Sequence, residues 1–393
     1  MRVLFVHYGT FDSNSAIQTF QFANRLVDLG FEVAVCGRAV ERVQGVGEAR
    51  FECLEYPDLP ARIAEYRRAP GEMVVHAWTP RERVRRATNE VVSRLGVPYV
   101  VHLEDNEEHL LGAVDGRDFD ELRDAPIDEQ DAVAGLGYAH PTHYPEFMRA
   151  AAGVTVITTE LREFNFGDRP GHLMRPGVDT EMFSPDVEPA STRGRLGIDP
   201  DAFVLVYQGN MHYANEREMF SLYLAVTLLQ RRGHPVKLLR LGENWTHGID
   251  PSFGALRDRG SVELGAVPWR DVPGFLVLAD AFVQPGAPDE FNRYRLPSKL
   301  PEFLAMGRPV VLPHCNIGAD LHDGANALLL ERGTGAEIAD RVESLVTDPG
   351  LAERLGRGAR EFAVSNLDWD RNAAGLADFY RRIARTARNG GRA

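Results

Sequence analysis

Cysteine is scarce in this 393-residue chain: three residues, Cys36, Cys53 and Cys315, lie far apart. That number and spacing exclude a disulfide framework and offer no metal-ligand pattern, so a reducing compartment is expected. No apolar run is long enough to span a bilayer. The chain opens on a strand-like segment, Arg2-Val-Leu-Phe-Val-His7, with no secretory signal, and the expectation is a cytoplasmic protein. Positive charge is also in deficit, with 44 Lys and Arg against 57 Asp and Glu and a net charge of −13. General nucleic-acid binding needs a basic footprint and is excluded on that ground. What is present is ordinary for a soluble globular protein, 44% hydrophobic and 26% charged residues. The length exceeds one usual core and predicts two domains of roughly 180 residues each.

Strand and helix signals alternate almost throughout, which favours parallel sheets covered on both faces. Strands are expected at Val3–Val6, Glu32–Cys36, Met73–His76, Tyr99–His102 and Val154–Ile157. A second cycle reads Ala202–Gln208, Val236–Leu241, Ser261–Leu264, Ala281–Gln284 and Pro309–Leu312. Proline and glycine punctuate Arg175-Pro-Gly-Val-Asp-Thr-Glu-Met-Phe-Ser-Pro185, which marks the boundary. The expected organisation is a first domain at 1–177, a second at 178–366, and a final helix at 367–393 crossing back to the first. Residues 105–146 interrupt the alternation. They are acidic, lack strand pattern and follow a first-domain strand, where binding loops and lids gather.

The stretch Arg295-Leu-Pro-Ser-Lys-Leu-Pro-Glu-Phe-Leu-Ala-Met-Gly-Arg-Pro-Val-Val311 carries the most chemistry. Pro297 and Ser298 predict a helix start and Gly307 its stop, before a buried strand. Arg295, Lys299 and the amides near Ser298 suit a pyrophosphate, and Glu302, about one turn further in, suits ribose hydroxyls. An ordinary helix-to-strand connection with a solvated Lys fits these residues equally well.

Four segments together resemble a known family. They are the 176–185 run, Leu205-Val-Tyr-Gln-Gly-Asn210, Val262-Glu-Leu-Gly-Ala-Val-Pro-Trp-Arg-Asp-Val272 and the 295–311 stretch. With the helix after Leu367-Asp-Trp-Asp-Arg371, their order is similar to that of GT-B-fold glycosyltransferases, in particular the retaining family-4-like group (glycosyl transferases group 1). The resemblance implies an α/β fold of two Rossmann-like doubly wound domains facing across a cleft. It implies a hexosyltransferase-like enzyme (EC 2.4) that moves a sugar from a UDP- or GDP-sugar to a hydroxyl acceptor, small-molecule, glycan or lipid-linked. Retention without a metal or further cofactor is part of that implication, with front-face displacement assisted by the leaving phosphate.

On the donor side the resemblance points to Gly209, Asn210, Val267, Arg295, Ser298, Lys299 and Glu302, with the base against Ala266–Trp269. Arg217, on the helix after the Gly209 loop, is a second candidate cation or a solvated charge, and Trp269 either packs or stacks. On the first-domain side Gly9 and Thr10 are expected near the acceptor. His102, Glu104 and Asp105 are candidates for contacting the sugar or the acceptor hydroxyl, unless His102 is simply a satisfied core residue. Three departures from the family pattern bear on donor identity and on activity. Tyr294 stands where a first glutamate is usual, and Glu290, Asn292 and Arg295 do not fit its spacing. Asn210 replaces the usual arginine, and Ser13-Asn-Ser-Ala16 replaces a glycine pair.

Two Asp-x-Asp matches, Asp118-Phe-Asp120 and Asp368-Trp-Asp370, read as surface or helix-cap features. The arginines from Arg81 to Arg94 make a basic helix, solvated or against an anionic membrane. A GT-B-fold sugar-nucleotide epimerase or hydrolase, and a catalytically silent nucleotide-sugar binder, are the competing functions.

Overall fold

The computed structural model describes residues 1–165, 167, 169–245 and 251–390. The chain divides into two compact units, Met1–Pro176 with the C-terminal segment from Trp369, and Gly177–Asp368.

Short runs of buried β-branched and aliphatic residues make the strands of the first unit: β1 Arg2–Thr10, β2 Glu32–Arg38, β3 Glu52–Glu55, β4 Met73–Trp78, β5 Tyr99–Leu103, β6 Gly153–Val156 and β7 Gly171–Leu173. They form one sheet in the order β3-β2-β1-β4-β5-β6-β7, and every pairing is parallel. β4 and β5 are buried along their whole length, as strands covered on both faces must be. One covering layer includes the helix Trp369–Gly390, whose Leu376, Phe379 and Tyr380 pack with Phe5, Phe22 and Trp78 in one core.

The second unit repeats the plan with β8 Phe203–Gln208, β9 Val236–Leu241, β10 Ser261–Glu263, β11 Ala281–Val283, β12 Val310–Pro313 and β13 Leu328–Leu330. Their order is β10-β9-β8-β11-β12-β13, again wholly parallel. Strand order reverses between β1 and β4 in one sheet and between β8 and β11 in the other. Those switch points are where open α/β sheets hold ligands.

Residues 105–146 differ from expectation: they form helices at Glu107–Asp115, Phe119–Asp124 and Ile127–Ala134, and a fourth starts at His143, in place of a loop. The acidic residues explain this. Asn106 and Asp118 cap two of the helices by accepting the amides of His109 and Glu121, and most of the remaining carboxylates sit in first turns. Asp118 is therefore a helix cap, and Asp370, beside Arg25 at 2.9 Å, is a first-turn charge.

Part of the charge of the 81–94 segment is paired. Glu82 takes Arg85 and Arg86 at 2.5 and 2.8 Å, Glu90 takes Arg94 at 3.1 Å, and Arg81 is buried. Arg86 and Arg94 remain exposed on the helix Glu82–Leu95. Among the described residues no helix is long and apolar enough to cross a membrane.

Candidate functional site

The β8/β11 switch point is framed by two glycines in backbone conformations that side chains rarely adopt. Gly209 follows β8 with φ +147°, and Gly286 follows β11 with φ +142°. Both are also sites of close approach. A Cβ on Gly209 would lie 2.8 Å from Lys299 Nζ, and one on Gly286 would lie 2.9 Å from Asn292 Nδ2 and Glu218 Oε1.

The helix that follows is shorter than predicted. It spans Leu300–Ala305, so Ser298 lies outside it, exposed, and does not cap it. Pro301 and the buried Leu300, Phe303 and Leu304 set its register, with Phe303 stacked on Phe282 of β11 at 4.5 Å. Burial of positions 300, 303 and 304 turns Glu302 to the other face. Lys299 donates to Tyr207 Oη at 2.9 Å and sits over that ring at 4.1 Å. Tyr207 is itself buried at the end of β8.

Glu302 is strongly perturbed by its surroundings. Its Oε1 accepts the Trp269 indole N–H at 3.2 Å, while Oε2 is buried with no hydrogen-bond partner. Burial pushes the carboxyl up to about 7, and the Trp269 N–H, the Gln208 amide and the Lys299 charge only partly oppose this. A carboxylate held in that state gains from hydroxyl donors.

Arg295 is clamped. Its guanidinium stacks on Phe291 at 3.6 Å, donates to Asn292 Oδ1 at 3.2 and 2.8 Å, and faces Glu218 at 3.5 Å. Asn292 Nδ2 completes the triangle by donating to Glu218 at 2.6 Å. Burial raises the Glu218 carboxyl, and Arg295 and Asn292 lower it in part. His212 is held below the usual imidazole range by burial and then by the Arg295 and Lys299 charges. Two cations and a neutral imidazole therefore share this corner of the unit.

The structure thus links Gly209, Lys299, Arg295 and Glu302 around one switch point. It gives Asn210 a different task from the expected one. Asn210 Oδ1 accepts the Glu243 amide at 2.8 Å and its carbonyl accepts Asn215 Nδ2 at 3.0 Å, so it builds the loop. Arg217 is exposed in the first turn of the helix Glu216–Arg231, and Val267 packs against the core beside Phe183. Sequence reasoning missed Glu218, Tyr207 and His212. The signal for Glu218 was the Asn215-Glu-Arg-Glu218 spacing, a helix-start pattern that places a carboxylate at a strand end.

The first-unit candidates cluster at the other switch point, after β1, β4 and β5. Glu104 accepts Ser15 Oγ at 2.7 Å, Trp78 Nε1 at 3.0 Å and Tyr8 Oη at 3.1 Å, so both of its oxygens are engaged. Arg81 lies over the Tyr8 ring at 4.1 Å and makes two bonds to Glu107 at 2.9 and 3.1 Å, with Asp105 at 3.8 Å.

His102 is corrected. It is enclosed beside Trp78 at 4.4 Å, bonded to Thr155 Oγ1 at 2.9 Å, and burial lowers it to about 3, so it is a neutral core residue. Gly9 donates its amide to His7 Nδ1 at 3.0 Å, and a Cβ there would meet Ser13 Oγ at 2.8 Å. Thr79, at the end of β4, is buried at φ +78°, a strained conformation for a β-branched residue. Among the described residues no group of three or more His, Cys, Asp or Glu side chains could hold a metal ion.

The chain is similar to several known proteins. Residues 202–348 match the family model described as "Glycosyl transferases group 1". A D-inositol 3-phosphate glycosyltransferase of Frankia alni is 26% identical over 95% of this chain and 95% of its own length. Among solved structures, Anabaena Alr3699/HepE in complex with UDP superposes with a TM-score of 0.69 at 15% identity, covering 97% of this chain and 100% of that one. A putative UDP-N-acetylglucosamine 2-epimerase of Listeria monocytogenes superposes at 0.58 and 11% identity, covering 95% and 94%.

Proposed function

We propose that this chain, a glycosyltransferase of GT-B fold whose second domain is of the group 1 type, moves a sugar from a nucleoside-diphosphate sugar to a hydroxyl acceptor with retention at the anomeric carbon. The observation that carries this reading is the pairing of two cations, Lys299 and Arg295, with the half-buried, under-bonded Glu302 at one switch point. Charge develops on the departing diphosphate in the transition state. Fixed cations in a partly desolvated site meet that charge without reorganisation, so the leaving group needs no metal. Glu302 accepts the ribose hydroxyls, and Gly209 permits the phosphates to approach the backbone above Lys299.

UDP is the first nucleotide to test, because UDP occupies the superposed Anabaena protein. On the acceptor side Asp105, half-buried and 3.8 Å from Arg81, is the group proposed to meet the acceptor hydroxyl. The acceptor itself is a small molecule, glycan or lipid-linked sugar, and the setting is the cytoplasm.

A thermal-shift panel of UDP-, GDP- and ADP-sugars tests the donor. At least one should raise the melting temperature, and a flat panel refutes the reading. Nucleoside diphosphate release with and without acceptor extracts then separates transfer from hydrolysis. Product analysis separates both from epimerisation, which the shared fold also accommodates.

A further inference from the structure

Residues 79–83 join β4 to the helix Glu82–Leu95 at the switch point of the first unit. Thr79, buried at φ +78°, is followed directly by Pro80. Strain of this kind persists only where neighbouring contacts over-determine the backbone. The Thr79 amide donates to the His102 carbonyl at 3.1 Å. The first helix amides, Glu82 and Arg83, donate to the Tyr138 and Leu136 carbonyls at 3.0 and 3.2 Å. The 105–146 segment therefore caps the turn, and the residue the turn delivers is Arg81.

The Arg81 side chain is only 10% exposed. Its Nε donates to both oxygens of Glu107, and the guanidinium covers the Tyr8 ring. Among the described residues neither terminal nitrogen has a hydrogen-bond partner. Nη2 stands 3.8 Å from Asp105 Oδ2, beyond hydrogen-bond reach. A cation this deeply buried is costly to leave with unbonded N–H groups, so the arrangement is built for a ligand oxygen. Charge narrows the ligand further. Glu107 balances Arg81, which leaves Glu104 and Asp105 without a cation in this group. A phosphate would meet both carboxylates, whereas a neutral polyol would not. In a vicinal diol one hydroxyl can accept from Arg81 while its neighbour donates to Asp105, so two oxygens on adjacent carbons bridge the gap.

We propose that Arg81 is a specificity-determining residue of the acceptor site: with Asp105 it reads a vicinal diol on an uncharged sugar or polyol and rejects phosphorylated acceptors. This rests on the reading above, in which Asp105 meets the acceptor hydroxyl. The glycosylated hydroxyl is then the one at Asp105, and Arg81 holds the hydroxyl on the adjacent carbon. The 105–146 segment serves the site by fixing the turn and supplying Glu107.

The test follows nucleoside diphosphate release from whichever nucleotide sugar raises the melting temperature. Acceptor extract is used intact, after alkaline phosphatase, and after periodate, which cleaves vicinal diols and is quenched before the assay. Release should survive phosphatase and be lost after periodate, and D-inositol 3-phosphate alone should not support it. Arg81→Lys keeps a charge beside Glu107 but loses the planar fork. The amount of extract giving half-maximal release should rise about tenfold, while the Kd for UDP and the melting temperature stay as in wild type. Asp105→Asn, at a side chain 33% exposed, should raise the same midpoint and serves if Arg81→Lys does not fold.

Release abolished by phosphatase, or supported by D-inositol 3-phosphate, overturns the rejection of phosphate. Release that survives periodate overturns the diol. A folded Arg81→Lys enzyme, or failing that Asp105→Asn, with wild-type dependence on extract overturns the pair as its reader. If the nucleotide sugar binds but no extract supports release, the transfer reading itself fails and takes this proposal with it, an outcome distinct from the others.

Discussion

Replacing Glu302 by glutamine is the sharpest test of the donor site, because that carboxylate is pushed up to about 7 by burial. Ribose hydroxyls donate to the ionised form. At pH 8 that form is about 90% populated and at pH 6 about 10%, so donor affinity should fall about tenfold between them, roughly 1.4 kcal/mol. A nucleotide sugar such as UDP-glucose is the proper probe. Free UDP carries a terminal phosphate that titrates near 6 and would add its own slope. Calorimetric Kd values from pH 5.5 to 8.5 at constant ionic strength should rise toward low pH in the wild type.

Glu302→Gln should bind at least tenfold more weakly at pH 8 and show a flat profile. The same substitution has a second, opposite signature in the unliganded protein. The folded-state pKa lies above the ordinary value of 4.5, so between 4.5 and 7 the folded chain holds a proton that the unfolded chain has released. Stability must therefore decline as pH rises through that window, by at most about 3 kcal/mol and less where solvent reaches the group. Above pH 7 the glutamine variant should melt higher than wild type, while below pH 5 the two converge. A wild-type affinity independent of pH, or a glutamine variant with wild-type Kd, refutes the assignment of Glu302 to the ribose.

Tyr207→Phe removes the hydroxyl that holds Lys299 at 2.9 Å. Donor KM should rise about fivefold, near 1 kcal/mol, with melting temperature little changed, and steady-state kinetics at saturating acceptor read this out. Glu218→Gln keeps an oxygen for Asn292 but releases Arg295 from a carboxylate 3.5 Å away. UDP should bind a few-fold more tightly at low salt, the gain vanishing near 1 M salt, while kcat falls because the guanidinium is less well held. Glu107→Ala leaves Arg81 buried without its two-bond partner, so chemical denaturation should show a loss of about 3–5 kcal/mol in the first unit. In that variant UDP binding, proposed for the second unit, should persist below the unfolding transition.

The boundary between what the sequence reveals and what it hides follows the range of the interactions involved. Strands β4, β5, β8 and β9 are legible because they are buried along most of their length and mostly apolar. β3, β7 and β13 are not, since each is three or four residues long at a sheet edge, and Glu52-Cys-Leu-Glu55 has a charged residue at each end.

The cations proposed for the donor and Glu302 are legible because they fall within eight residues of one another, a local pattern. Their partners are not local. Tyr207 reaches Lys299 across 92 positions and Glu218 reaches Asn292 across 74, and only the parallel sheet brings those segments to one strand end. This explains the apparent gap at position 294. A search at fixed spacing finds Tyr294, which is buried, and reads a missing carboxylate. The fold supplies a carboxylate to the same segment from the helix Glu216–Arg231, where Glu218 touches both Asn292 and Arg295. Such a carboxylate has no fixed offset from Glu302, so no motif can contain it. The charge of the 290–302 segment is therefore set by topology as much as by its own residues, and a donor preference inferred from the motif alone would start from the wrong electrostatics.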